Sequence, residues 1–208
     1  GSEIAVVVIE PLPANYGLLI QRKEFILKIQ ELAKKHGALF MVDEVISGFR
    51  VNLKGMIQDL GLSPDLVCYG KILGGGFPVG CYGGRRDIMD FVAPLGPVYQ
   101  AGTLSANPVG MVAGLATLQK MDNNRGWDKL NKTSLEFCLN LKSILNQGSD
   151  LDVSYYSSLF WIHTKTSEPI RDLNHIPKGQ GETFKKLFLK LLDKGVYLAP
   201  NAYEVGFL

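Results

Sequence analysis

The sequence predicts an α/β fold with a mostly parallel central sheet and flanking helices, extended by a smaller C-terminal α+β domain. Three observations predict it. The run Ile4-Ala5-Val6-Val7-Val8-Ile9 is apolar throughout and rich in β-branched residues, the pattern of a strand buried on both faces of a parallel sheet. A helical pattern and a second apolar run, Ala38-Leu39-Phe40-Met41-Val42, follow it and complete a βαβ unit. After Asp122-Asn123-Asn124-Arg125-Gly126 this βα rhythm gives way to helices and strands with alternating aromatics. Residues 1–124 are therefore read as part of a large domain and 125–208 as a small, incomplete one.

Each element follows from its residues. Residues 4–9 form the first strand, and Glu10-Pro11 opens a loop through Asn15 and Gly17. Over 22–36, Phe25, Ile26, Ile29, Leu32 and Ala33 recur at helical spacing; Lys34, Lys35 and His36 suit the last turn and Gly37 stops it. Strands are expected over 38–42 and, after the Ser63-Pro64 turn, over 65–69. Helices are expected at 85–93 and at 105–121, the second capped by Ser105 with Pro108 in its first turn. Beyond 126 the pattern gives a helix over 127–147, strands over 152–163, a helix over 180–194 and a strand over 196–199. Trp127 and Trp161 are expected in the core of the smaller domain.

Composition excludes several function classes. Its 22 basic and 20 acidic residues are spread along the chain, so there is no electrostatic footprint for nucleic acid or a membrane surface. No apolar run approaches the roughly 18 residues of a membrane span. The three cysteines lack CxxC spacing, which fits a reducing compartment. A cytoplasmic location is expected, or a plastid stroma if a transit peptide has been removed. Cys68 and Cys81 fall in strand patterns and read as buried apolar fillers. His36, His163 and His175 do not converge, so no metal site is expected. The chain enters a strand almost at once and stops on Gly206-Phe207-Leu208, so it reads as part of a longer protein.

The chemistry concentrates where strands end. Ligands of open parallel sheets bind beyond the carboxyl ends of the strands, and Glu10, Asp43 and Lys71 all fall there. Taken alone, each has an ordinary reading as a turn cap or a solvated charge. Together they fit one chemistry: a lysine whose neutral amine condenses with an aldehyde cofactor, and an aspartate that keeps a pyridine nitrogen protonated as an electron sink. That is the arrangement of enzymes using pyridoxal 5'-phosphate. Gly74, Gly75 and Gly76 would let the backbone pass close to the cofactor. Val45, two residues beyond Asp43 on an extended chain, could pack on the ring.

The motifs Glu10-Pro11, Asp43-Glu44-Val45, Gly48-Phe49-Arg50, Pro64-Asp65, Gly70-Lys71-Ile72-Leu73-Gly74-Gly75-Gly76 and Gln100-Ala101-Gly102-Thr103-Leu104-Ser105 resemble, in order, those of the class III aminotransferases of pyridoxal-phosphate fold type I. The resemblance covers nearly the whole chain and corresponds to about the second half of such an enzyme. It implies pyridoxal or pyridoxamine 5'-phosphate as cofactor, Lys71 as the condensing lysine and proton shuttle, Asp43 as partner of the ring nitrogen, and Val45 as a ring-packing residue. Asn15 matches the position near the cofactor's 3'-hydroxyl. Gly102 and Thr103 match a stretch that binds the phosphate of the neighbouring subunit, which implies a homodimer with composite sites. A helix start at Ser105 would add a favourable dipole there.

Many family members carry a late arginine for an α-carboxylate. Residues 198–207 here, Leu-Ala-Pro-Asn-Ala-Tyr-Glu-Val-Gly-Phe, contain none. Glu204 instead matches the glutamate of the branch that shifts an amino group within one small molecule, where a carboxylate favours an amine and repels an acid. Transfer between two molecules, and a non-catalytic truncated homologue, are the competing expectations. Ala106 departs from the glycine usual in the family. The family's N-terminal half supplies the phosphate loop, the stacked aromatic and the mobile loop, so these residues alone are not expected to complete a site.

Overall fold

The β-branched run becomes strand β1, Val6–Ile9, in the computed structural model, which describes residues 3–208; the first two residues of the expected large domain lie outside the described ones. The chain divides into two units, one of Gly1–Pro11 with Arg22–Trp127 and one of Leu12–Gln21 with Asp128–Leu208. The expected division at 124/125 differs in two respects: the boundary falls three residues later, and the loop 12–21 groups with the C-terminal unit.

In the first unit, helix α1 (Lys23–Lys35) buries Ile26 and Ala33, carries Glu24 in its first turn and Lys34 and Lys35 in its last, and so opposes charge to the helix dipole at both ends. Gly37, at φ +70°, turns the chain into β2 (Leu39–Asp43). A short helix α2 (Gly55–Leu60) precedes β3 (Leu66–Tyr69), and β4 (Cys81–Gly84) follows. Strands β1, β2 and β3 are parallel and β4 is antiparallel, in the order β1-β2-β3-β4. Ile9 lies opposite Val42 and Asp43 opposite Cys68, so the three parallel strands end at one edge.

Pro64-Asp65 locks this register. The Asp65 carboxylate accepts from Phe40 N–H (2.8 Å) and from the Arg85 guanidinium (2.6 Å), while Asp65 N–H donates to Phe40 C=O (2.8 Å).

The structure departs from several sequence expectations. β1 is an edge strand whose Val6 (40%) and Val8 (55%) remain exposed, so its β-branching does not mean two-sided burial in this chain. Helix α3 is only Arg86–Met89, because Val92 leaves the helical path to bridge Val98. Helix α4 is Pro108–Asn123 and is capped by Asn107, whose side chain accepts from Val109 N–H (2.9 Å) and Gly110 N–H (3.4 Å). Ser105 cannot cap it, since Ala106 stands at φ +55°, outside helical space. Cys81 is exposed rather than buried. Trp127 is buried, but in the first unit, where its indole N–H donates to Phe49 C=O (2.9 Å).

The second unit takes most of α5 (Gly126–Asn146), the antiparallel strands β5 (Leu151–Tyr156) and β6 (Leu159–Thr164), helix α6 (Gln180–Leu192) and strand β7 (Gly206–Phe207), which pairs with Leu159 and Phe160. Its core gathers Cys138, Leu145, Leu151, Val153, Phe160 and Ile162. The strand expected over 196–199 is irregular chain. Pro200 follows it and has no N–H for a ladder, and pairing resumes only at Gly206.

Candidate active site

Asp43 and Glu44 are neighbours with opposite fates. The Asp43 carboxylate, at the end of β2, accepts from Val45 N–H (2.9 Å) and meets the Cys68 thiol of the adjacent strand. Burial, and then the Asp43 charge, push that thiol up to about 11, so it stays protonated and serves Asp43 as a donor. Glu44 is fully buried and accepts from Ser47 Oγ, from Ile57 N–H (2.9 Å) and from Met56 N–H, capping α2 from within. Burial raises its pKa against those hydrogen bonds. Gly55 makes room for it, since a Cβ there would stand 2.5 Å from Glu44 Oε1. Glu44 C=O also accepts from Gly48 N–H (2.8 Å), and a Cβ on Gly48 would stand 2.5 Å from the Tyr69 ring.

The chain turns directly after Asp43, so Val45 does not continue an extended strand as the sequence suggested. It still reaches the next strand end, with Cγ1 3.4 Å from where a Gly70 Cβ would be. Lys71 follows Gly70 and opens a 3-10 turn, Lys71–Gly74, with φ +46°. A non-glycine residue in that region costs on the order of 1–2 kcal/mol, a strain of the kind that gathers at functional sites. Lys71 is exposed and borders an open groove of about 600 Å³ with Gly76, Phe77 and Thr117.

Two of the three glycines after it do something the sequence did not reveal. A Cβ on Gly75 would stand 2.4 Å from Ala113 C=O, and one on Gly74 3.2 Å from the Val79 side chain. On the helix itself, a Cβ on Gly114 would stand 2.1 Å from Leu73 C=O. These glycines let the lysine turn lie against α4 at backbone distance; Gly76 alone meets nothing within 4 Å. Gly102 and Thr103 lie in the exposed loop before α4, where Gly102 C=O accepts from Ser105 N–H (2.9 Å).

Asn15 and Glu204 belong to the second unit and are both exposed. Their chain neighbours Tyr16 and Tyr203 stack, with ring centroids 4.3 Å apart and 9° between planes. Glu204 also borders a cavity of about 240 Å³ with Tyr197, Val205 and Phe207. Neither tyrosine carries a local sequence signal, nor does Gln180, which is fully buried and donates to Ile162 C=O (3.1 Å) and Ala202 C=O (2.9 Å).

His163 is buried between Ser154 Oγ and Thr164 C=O, each 2.9 Å away; His175 pairs with Asp172 on the surface. Neither approaches the strand-end residues in sequence, and among the described residues no cluster of metal-ligating side chains forms.

A carboxylate and an amine thus stand at the ends of the adjacent parallel strands β2 and β3, with the Val45 side chain beside Gly70. The chain belongs to the class III aminotransferase family: that family's model, "Aminotransferase class-III", matches residues 1–205. It is 61% identical over 209 residues to a glutamate-1-semialdehyde 2,1-aminomutase of Bdellovibrio bacteriovorus, covering all of this chain and 49% of that protein. Among solved structures it is similar to an omega-transaminase from Sphaerobacter thermophilus (32% identity, TM-score 0.88, 98% of this chain and 47% of the other). A transaminase solved with PLP bound matches at 27% identity and TM-score 0.84, over 100% of this chain and 47% of the other. The chain thus spans about half the length of the proteins it matches.

Proposed function

We propose that the full-length protein is a glutamate-1-semialdehyde 2,1-aminomutase that isomerises glutamate 1-semialdehyde to 5-aminolevulinate, a tetrapyrrole precursor. The observation that carries this reading is the combination of the Asp43–Lys71 strand ends with a glutamate, and no basic residue, over residues 198–207. The name shared by its relatives supports it.

Pyridoxal 5'-phosphate, cycling with its pyridoxamine form, supplies an electron sink and an amino-group carrier. The residues of this chain do the rest. Asp43, oriented by Val45 N–H and the Cys68 thiol, would hold the proton on the ring nitrogen. Lys71 Nζ would anchor the resting cofactor and carry a proton between carbon atoms during the shift. Val45 would pack against the ring and Asn15 would bind its 3'-oxygen. Glu204 attracts the substrate's amine and disfavours a second carboxylate at that place.

Gly102 and Thr103 offer N–H groups and a hydroxyl to the phosphate held by a second subunit. Such a shared phosphate site requires a two-fold dimer with composite active sites. Among the described residues no helix is long and apolar enough to cross a membrane. The free thiols Cys68, Cys81 and Cys138 fit a reducing compartment such as the cytoplasm.

The test is to supply the full-length, cofactor-loaded protein with glutamate 1-semialdehyde and no other amino donor. Formation of 5-aminolevulinate is expected. Turnover only when a separate amino donor and keto acceptor are both present would replace this reading with that of an intermolecular transaminase.

A further inference from the structure

We infer that the stacked pair Tyr16 and Tyr203 is a positioning device, which sets Asn15 and Glu204 against one another so that cofactor contact and amine recognition are held in register. The inference rests on the proposed function for the roles of Asn15 and Glu204; the pair itself is read from geometry.

The two rings belong to loops far apart in sequence, yet lie nearly parallel at 4.3 Å, at the close end of what aromatic pairs adopt. Burial alone does not account for this, since Tyr16 remains 48% exposed. The backbone beneath the rings is pinned on both sides. Gly17 N–H donates to Tyr203 C=O at 2.6 Å, and Gly17, at φ +76°, comes so close to Trp161 that a Cβ would stand 2.9 Å from the indole. Ala202 C=O receives both the Trp161 indole N–H and the Gln180 amide, each at 2.9 Å. On the far side of Tyr203, Glu204 N–H donates to Asn201 C=O (3.1 Å) and Tyr203 N–H to Asn201 Oδ1 (3.0 Å).

The backbones at Gly17 and Ala202–Glu204 are therefore fixed, and beside the Gly17–Tyr203 hydrogen bond the ring pair is a side-chain link between the segments that carry Asn15 and Glu204. Burial, and then a hydrogen bond with Tyr16, push the Tyr203 phenol above its usual range.

A side chain that acts through two others leaves a mark that a merely stabilising one does not. In the full-length protein, Tyr203→Ala is expected to raise KM for the amino aldehyde and to weaken binding of added pyridoxal 5'-phosphate, each by about 3- to 10-fold, the scale of one aromatic stack. Its kcat should change less than about 2-fold on the same scale. Tyr203→Phe, which keeps the stack, should restore both constants. In a Glu204→Gln background, Tyr203→Ala should raise KM no further, because its route to the substrate is already cut.

Cofactor binding is read by absorbance titration of the cofactor-free protein and needs no turnover. If the wild type binds cofactor but does not isomerise the semialdehyde, the functional reading fails while the titration still decides the role of the pair. A Tyr203→Ala protein whose melting temperature falls while both constants keep their wild-type values overturns the inference. So does a Tyr203→Phe protein no better than Tyr203→Ala, and a wild type that takes up no cofactor overturns both readings.

Discussion

At the edge of the parallel sheet a polar side chain is held by residues close to it in sequence or in the next strand. Asp43 is bound by Val45 two positions on and by Cys68 across one strand spacing, and Lys71 is set by a turn of its own. In the second unit the same task falls to distant segments: Gly17 bonds Tyr203, and Gln180 bonds Ala202. The first arrangement is stiff because the sheet is stiff. The second depends on several long-range contacts at once, so one substitution there should disturb two functional residues together. The proposed roles divide accordingly, with proton chemistry at the sheet edge and recognition on the paired loops.

The largest expected effect breaks the sheet-edge side of this comparison. Lys71→Ala in the full-length protein should reduce turnover by about 10³-fold or more, the upper range for removing a proton-transfer group. Thermal unfolding should change little, since the side chain is exposed. Mixing Lys71→Ala with Thr103→Ala subunits should then recover activity, because a heterodimer with composite sites has one site with both lesions and one with neither. If both residues served the same chain's site, every site would carry one lesion and confirmed heterodimers would stay inactive.

Two glycine substitutions sharpen the comparison on the stability scale. Gly75→Ala in the first unit and Gly17→Ala in the second each force a Cβ into a contact under 3 Å at a positive φ. Each should cost about 2–4 kcal/mol by overpacking and backbone strain together, measured by denaturant unfolding. The difference lies in function: in protein that remains folded, Gly17→Ala should raise substrate KM through the loops, whereas Gly75→Ala should act on kcat through the lysine turn.

A smaller effect should come from pH in the second unit. Burial holds the His163 pKa below its ordinary value, so the folded state favours the neutral ring while the unfolded chain takes up a proton near pH 6.5. Its contribution to stability is complete above that pH and drains away as pH falls from about 6.5 toward the folded-state value. A His163→Gln protein should lose stability less steeply over that interval, as followed by urea unfolding at successive pH values. The smallest expected effect is Ala106→Gly, which relieves a residue at φ +55° and should add about 0.5–1 kcal/mol.

These differences also explain what could be read from the sequence. The βαβ unit, and the placing of Asp43 and Lys71 at strand ends, were legible because strand patterns and helix stops are local. The two acids of Asp43-Glu44 could not be told apart by pattern. Glu44 turns inward to cap α2, and that helix is short, begins at a glycine and leaves almost no periodicity. Helix α4 was placed three residues early because Ser105 resembles a cap, and only the positive φ of Ala106 excludes it. Gly74 and Gly75 were read as clearance for a ligand when the nearest obstacles are Val79 and the backbone of α4. The Tyr16–Tyr203 pair was invisible because nothing in a linear sequence links loops at opposite ends of the chain.

The reading of the site turns on whether the lysine at the edge of the parallel sheet, Lys71, carries the cofactor. Reduction of the cofactor-loaded full-length protein with borohydride, followed by proteolysis and peptide mapping, tests it most directly. A single reduced cofactor adduct is expected on the peptide containing Lys71. An adduct on Lys54 instead, or none from protein supplied with the cofactor, would contradict it.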